Sequence, residues 1–353
     1  MNKNKKFPAS GSVHPGIETY YKKFRKKLPD ADTFVREITG GNRQYLSRAI
    51  TLIESASPET KALASEIVRK ALPYSGKSFR IGITGVPGVG KSTFIDRLGT
   101  AYVRQGHRVA VLAIDPSSAL NKGSILGDKT RMENLLKMPR TFIRPSPSGN
   151  YLGGVGRKTR ETIILCEAAG YDRILVETVG VGQSEIYVHS MTDLFVLLKL
   201  PGAGDELQGI KRGVMEMADM IIINKADGEM KTEAERAVRI FRNALHYFTF
   251  RNADEIQVMA VSSLQSDGIT EVLRALEKQY ERMITSGRLQ SQRKAQLQFW
   301  FDESLNDLFK TFFENDTYLN NRRRELLDQV KNNEITPFEA AEKLWRLFLK
   351  KSK

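Results

Sequence analysis

Arg80-Ile81-Gly82-Ile83-Thr84-Gly85-Val86-Pro87-Gly88-Val89-Gly90-Lys91-Ser92-Thr93-Phe94-Ile95-Asp96-Arg97-Leu98 decides the reading of this chain. A short β-branched run passes into a glycine-rich loop, and the loop passes into an amphipathic helix start. Gly85 to Ser92 fit the Gly-x-x-x-x-Gly-Lys-Ser phosphate loop in the strand–loop–helix setting that this loop requires. Its glycines let backbone N–H groups curl around a β-phosphate, and the helix start at Thr93 adds partial positive charge. Lys91 is expected to bridge β- and γ-phosphate oxygens, and the Ser92 hydroxyl to ligate Mg²⁺. A chance match somewhere in a chain of this size is roughly a one-in-a-hundred event, before the flanking strand and helix are counted. An ordinary glycine-rich turn is therefore a poor alternative.

Working outward, short apolar runs alternate with longer amphipathic segments. The runs at Phe79–Thr84, Val109–Ile114, Ile174–Glu177, Leu194–Leu200, Met220–Asn224 and Ile256–Val261 suit buried strands. The expected fold is α/β: a P-loop NTPase with a mostly parallel central sheet flanked by helices, plus helical N- and C-terminal extensions. Leu46, Ile50 and Ile53 fall on one helical face before the loop, and Leu63 and Ile67 repeat the step. Behind it, Gln296–Phe313, Arg322–Asn332 and Pro337–Lys350 read as helices. The expected division is a basic tail over 1–29, a helical extension over 30–77, the P-loop domain over 78–286 and a helical C-terminal region over 287–353.

The 353 residues carry 55 Lys and Arg against 41 Asp and Glu, a formal charge of +14. Half of the surplus is local: Met1 to Lys27 hold eight basic residues against Glu18 alone, a charge of +7. Such a run either binds an acidic surface or is simply a solvated extension. No basic groove with interleaved aromatics occurs elsewhere, so nucleic acid is not expected as a partner. No apolar run is long enough to span a bilayer, and the start has no apolar stretch of a signal peptide. A single cysteine, Cys166, excludes an intramolecular disulfide and a multi-cysteine metal site. The expected location is the cytoplasm.

A nucleotide hydrolase also needs carboxylates to hold metal and order water. Three candidates stand out: Asp115 in Asp115-Pro116-Ser117-Ser118, Asp128 in Gly127-Asp128-Lys129-Thr130-Arg131-Met132, and Glu177 in Glu177-Thr178-Val179-Gly180. For Asp115 before Pro116 the competing role is a helix cap; Asp128 is as readily a plain loop residue. The turn after Glu177 is similar to the Asp-x-x-Gly turn of GTPases, where the glycine N–H meets the γ-phosphate, here with Glu in place of Asp. Farther on, Asn224-Lys225-Ala226-Asp227 follows a buried strand and reads guanine. An ionised Asp accepts from guanine N1–H and the exocyclic amine, whereas adenine would face it with a lone pair. Asn224 would hold the surrounding loops, the Lys225 stem would cover the ring, and Ser262-Ser263-Leu264 ends another strand where backbone N–H groups meet guanine O6. The expected ligands are GTP and GDP with Mg²⁺, and the catalytic group comprises Lys91, Asp115 and Glu177, with Asp115 orienting the attacking water.

Several further stretches have no generic phosphate-loop explanation. They are the Asp115 and Asp128 segments, Arg144-Pro145-Ser146-Pro147-Ser148, Glu177-Thr178-Val179-Gly180-Val181-Gly182-Gln183-Ser184-Glu185, and Pro201-Gly202-Ala203-Gly204-Asp205-Glu206-Leu207-Gln208-Gly209-Ile210-Lys211. Together they closely resemble the MeaB/ArgK family of GTPases, the methylmalonyl-CoA mutase-associated proteins, from about Gly41 to the C-terminal helices. The resemblance implies the SIMIBI class of P-loop GTPases, a homodimer, and a chaperone role. In that role GTP hydrolysis gates transfer and protection of adenosylcobalamin on an acyl-CoA mutase, methylmalonyl-CoA mutase being the expected partner. By the same resemblance Asp115, Asp128 and Glu177 match the magnesium and catalytic acids together with Ser92, Arg131 lies near the nucleotide in a mobile switch, and Asp205, Gln208 and Lys211 belong to an additional switch.

Two rival readings differ in class. One is a kinase linked to basic amino-acid transport, which Asn224 to Asp227 oppose because they disfavour ATP. The other is an RNA- or membrane-associated targeting GTPase that uses the basic tail. His14, His107, His189 and His246 are scattered, which counts against metal delivery, and Cys166 in an apolar helical stretch reads as an inert core thiol. Phe299, Trp300, Phe301, Phe309, Phe312 and Phe313 read as core or dimer packing.

Overall fold

A computed structural model describes residues 28–55, 57–115, 132–147, 152–178, 184–202, 212–246 and 256–351. Seven strands form one sheet: β1 Phe79–Gly85, β2 Val109–Asp115, β3 Thr141–Pro147, β4 Arg173–Thr178, β5 Leu194–Lys199, β6 Met220–Asn224 and β7 Gln257–Val261. Their order is β3-β2-β4-β1-β5-β6-β7, and every pair is parallel. All seven residues of β1 are buried, which is what a central strand covered on both faces demands.

Among the described residues the sequence reading missed one strand, β3. Pro145 and Pro147 argue against a strand, since proline donates no ladder hydrogen bond. The structure resolves this by position: β3 is the edge strand, with Pro145 opposite Ala113 of β2, so the bonds a proline cannot make are not needed on its outer side.

Helices α1 Ala31–Thr39, α2 Arg43–Glu54 and α3 Pro58–Ala71 precede β1. Asp30 caps α1 by accepting from Thr33 N–H at 2.8 Å, and Asn42 caps α2 by accepting from Gln44 N–H at 3.1 Å. Phe34, Ile38, Leu46, Ile50 and Ile67 turn their apolar stripe onto one face of the sheet. That face is shared with α6 Leu152–Ala168 and α7 Ser184–His189. The opposite face is covered by α4 Lys91–Arg104 and α10 Ile269–Thr285 through Phe94, Leu98, Val272 and Leu276. Short α5 Glu133–Leu136 and α8 Arg212–Met217 complete connections, and α9 Met230–His246 covers β6 and β7 through Ala234, Val238 and Phe241. α11 Arg288–Asn315, α12 Thr317–Lys331 and α13 Pro337–Lys351 close the chain. No helix among the described residues is long and apolar enough to cross a membrane.

The first half of α11 is tied to the base of the sheet. Arg293 donates from Nε and Nη2 to Asp193 at 2.8 and 2.7 Å, and from Nη2 to Ser78 O at 2.6 Å. Asp193 also accepts from Arg80 N–H at 2.8 Å, and Arg80 donates to Glu167 of α6 at 2.9 and 3.0 Å. One turn and two turns further, Gln296 donates to Thr192 O at 2.7 Å and Trp300 Nε1 to Ser190 O at 3.1 Å. Of the aromatics read as packing residues, Trp300 is buried while Phe301, Phe309 and Phe312 are exposed; Phe309 meets Trp345, and Phe312 and Phe313 meet Phe348 of α13.

Two expectations follow from this packing. Arg293→Met leaves the Asp193 carboxylate, whose side chain is 0% exposed, without its cation. Urea denaturation is expected to show a loss of about 3–5 kcal/mol. Cys166 is fully buried, and burial pushes its thiol pKa well up, so a thiol reagent should find no reactive group in the native protein and one after denaturation.

Candidate nucleotide site

The C-terminal end of β1 turns sharply into the phosphate loop. Gly85 has φ +152°, and a Cβ there would lie 2.6 Å from Leu198 O of the neighbouring strand. Only glycine lets the chain leave the sheet at this angle. Gly90 ends the loop in the left-handed region as the N-cap of α4, and Lys91 is the first helical residue. The Lys91 ammonium donates to Gly85 O at 2.8 Å and Val86 O at 3.2 Å, which holds it across the mouth of the loop. Val86 is half-buried, Pro87 and Gly88 are exposed, and Val89 is buried as the anchor of the loop. Ser92 and Thr93 occupy the first turn of α4.

Ser92 Oγ donates to Glu177 Oε1 at 3.0 Å. Glu177 sits near the end of β4, opposite Ile83 of β1 and Ala113 of β2, and is buried. The next residue, Thr178, donates from its hydroxyl to the Thr84 hydroxyl at 2.8 Å, tying the two strand ends together beside the loop. Asp115 ends β2 two strands away from β1, with β4 between them. Its side chain, and Asp128, Arg131, Gly180, Asp205, Gln208 and Lys211, lie outside the described residues.

The second half of the site is built by the ends of β6 and β7. Asn224, the last residue of β6, is 1% exposed and donates from Nδ2 to Val89 O at 2.8 Å. Its Oδ1 accepts from Ser263 N–H at 3.2 Å and from Ser263 Oγ at 2.6 Å. One carboxamide therefore fastens the phosphate loop to the loop after β7. Gly90 makes room for it, since a Cβ on Gly90 would lie 2.6 Å from Asn224 Nδ2. Lys225 takes a positive φ of 62° and is exposed. Asp227 Oδ2 accepts from Ser262 Oγ at 2.6 Å, and Ser262 exchanges both backbone bonds with Asp267 at 3.0 and 3.1 Å. Leu264 lies at the tip, exposed.

The structure thus brings Ser92 to Glu177, Asn224 to Val89 and to Ser263, and Asp227 to Ser262, four pairs distant in sequence. Sequence reasoning missed the Thr84–Thr178 contact and Arg97, whose Nε donates to Ser263 O at 3.2 Å. Neither carries a motif signal, because each is an ordinary residue of a strand or helix whose partner is set by the tertiary fold.

The oxygen donors fit Mg²⁺. A hydroxyl and a buried carboxylate 3.0 Å apart at the helix start are hard ligands, and nucleotide-bound Mg²⁺ takes one or two of these with phosphate and water completing its shell. No group of three or more His, Cys, Asp or Glu side chains suited to a metal occurs among the described residues.

The family model described as methylmalonyl Co-A mutase-associated GTPase MeaB matches residues 46–317. The chain belongs to the MeaB family of GTPases. The Escherichia coli GTPase ArgK is 45% identical over 310 residues, covering 86% of this chain and 92% of that protein. The mouse methylmalonic aciduria type A homolog, mitochondrial, is 40% identical over 330 residues, covering 90% and 79%. The crystal structure of a LAO/AO transport system kinase superposes with a TM-score of 0.74 at 34% identity, covering 92% of this chain and all of that one. The MeaB assignment makes the chain a GTPase, and guanine nucleotide is its ligand class.

Gly90→Ala tests the loop geometry. The variant would carry a Cβ at φ +96° against Asn224 Nδ2. Guanine nucleotide affinity is expected to fall by at least about a hundredfold, by fluorescent GDP titration, while far-UV circular dichroism stays unchanged.

Proposed function

We propose that this MeaB-family GTPase hydrolyses GTP with Mg²⁺ to gate loading and protection of adenosylcobalamin on an acyl-CoA mutase, methylmalonyl-CoA mutase being the first candidate. The observation that carries this reading is the family match over 46–317, whose description names mutase association. The printed name of the mouse relative, a methylmalonic aciduria protein, points the same way.

The site residues have defined tasks in this reading. The phosphate-loop N–H groups and the Lys91 ammonium stabilise charge that develops on the phosphate oxygens as the bond from the γ-phosphorus to the β–γ bridging oxygen breaks. Ser92 and Glu177, with Asp115 and Asp128, would hold Mg²⁺, and the ion would supply neutralisation of phosphate charge when bound. Asp115 orients the attacking water, whose oxygen forms the new bond to phosphorus and whose proton leaves with the phosphate. The Gly180 N–H meets the γ-phosphate, Arg131 lies near the nucleotide in a switch, and Asp205, Gln208 and Lys211 transmit the nucleotide state to the mutase. Asp227 reads the guanine edge, Asn224 and Lys225 frame it, and Ser262, Ser263 and Leu264 close the O6 side.

The chain works as a homodimer in this reading, in the cytoplasm, with residues 30–77 and 287–353 as helical extensions of a GTPase domain over 78–286 and 1–29 as a basic tail. Exposed Phe301, Phe338 and Leu349 on α11 and α13 supply apolar surface for that association.

Two measurements test the reading. Lys91→Ala is expected to abolish GTP turnover, and hydrolysis at the wild-type rate by that variant would overturn the phosphate assignment. Phosphate release by the wild-type protein is expected to be slow alone and to rise at least about tenfold with the mutase, as partner ordering of catalytic groups does in other GTPases; equal rates would remove the gating role.

A further inference from the structure

Arg97 lies in the second turn of α4, on the helix that begins with Lys91, far along the chain from the base-reading loop. Its Nε nevertheless donates to Ser263 O at 3.2 Å. Ser263 is thereby held on both sides. Asn224 Oδ1 takes its N–H and its hydroxyl, and Arg97 takes its carbonyl.

A peptide unit is planar, and in the trans form its C=O and N–H point in opposite directions. No cis peptide occurs among the described residues. Fixing Ser263 C=O toward α4 therefore fixes Leu264 N–H to point away from α4. The neighbouring donors are already committed inside the loop: Ser262 N–H goes to Asp267 O at 3.0 Å and Gln265 N–H to Ser262 Oγ at 3.1 Å. Leu264 N–H has no acceptor among the described residues, and its residue is 69% exposed at the loop tip. Asp227, two bonds away through Ser262 Oγ, sits beside the same turn.

We infer that Arg97 is a positioning residue for base specificity: by holding Ser263 O, it aims the Leu264 N–H at the six-position oxygen of a guanine bound at Asp227. Arg97 does not touch the base in this arrangement. It sets the direction of a backbone N–H that donates to a carbonyl oxygen at that position and meets the amino group of adenine donor to donor. The inference rests on the reading of Asp227 as the guanine acceptor.

Two diphosphates are compared, GDP and 2-aminopurine riboside diphosphate, which keeps the exocyclic amine and lacks the six-position oxygen and, with it, the N1–H; the loss of N1–H is common to every variant and drops out of the comparison. Affinities are measured for the full chain and for Arg97→Met and Arg97→Lys. Arg97→Met is expected to lose about tenfold in GDP affinity, the worth of one well-placed hydrogen bond, and to keep its affinity for the analogue within about twofold. Arg97→Lys, which retains a donor, is expected to restore most of the GDP preference. The ratio of the two affinities cancels any general loss of folding or of positive charge near the phosphates. Equal losses for both nucleotides, or no loss for either, overturn the inference. Asp227→Asn separates the two levels. It should move preference from GDP to xanthosine diphosphate, and failure to do so removes the base-site reading itself, whereas success combined with an unchanged Arg97→Met ratio removes only the role of Arg97.

Discussion

The Asn224 carboxamide is the joint on which the candidate site turns. It is buried at the end of β6, gives its N–H to the phosphate loop at Val89 O and takes two donors from Ser263. The loop before α4 and the turn after β7, which lie far apart in the chain, thus share one side chain. The joint exists only because Gly90 adopts φ +96° without a Cβ in the way. A buried amide that donates one N–H and accepts two short hydrogen bonds on its oxygen has little freedom to reorient, so the two loops hold a fixed separation. That fixed separation is what a nucleoside phosphate of one length requires.

At the opposite end of the sheet a second polar cluster has a different task. Arg80, Glu167, Asp193 and Arg293 join β1, α6, the β5 entry and α11 with charge-assisted bonds of 2.7 to 3.0 Å. Such a cluster adds little net stability over an apolar core, because desolvation offsets the Coulomb gain. Its consequence is orientation. α11 is held by the strand that carries the phosphate loop, and through Gln296 and Trp300 by the turn after α7. Gly156 of α6 lets the Trp300 ring approach, since a Cβ there would lie 2.5 Å from the ring. The exposed aromatic face farther along α11 continues a helix whose first half is fastened to the sheet.

Much of the fold was legible because local signals agreed with one another. Each of β1, β2, β4, β5, β6 and β7 is a short apolar run, and each lies inside the sheet or, for β7, under α9. β3 was illegible for a physical reason: Pro145 and Pro147 carry the wrong propensity, and only the edge position in the finished sheet excuses them. In the site, glycine spacing and strand-end acids announced themselves, since phosphate loops and base readers constrain consecutive residues. The partners of those residues did not. Thr84 with Thr178, and Arg97 with Ser263, are set by strand order and helix packing, which leave no period or spacing in the chain. Asp128, Arg131 and Asp205 stand on motif similarity, outside the described residues.

In the proposed function one purine nucleotide, chosen for guanine, lies between the loop at Gly85 to Ser92 and the acid at Asp227. Titration calorimetry of the purified chain with GDP and then ADP, both with Mg²⁺, addresses it most directly. Saturable one-site heat is expected with GDP and binding at least about a hundredfold weaker with ADP, since the wrong base leaves buried polar groups unpaired. Absent heat with GDP, or matching affinities for the two nucleotides, would contradict it.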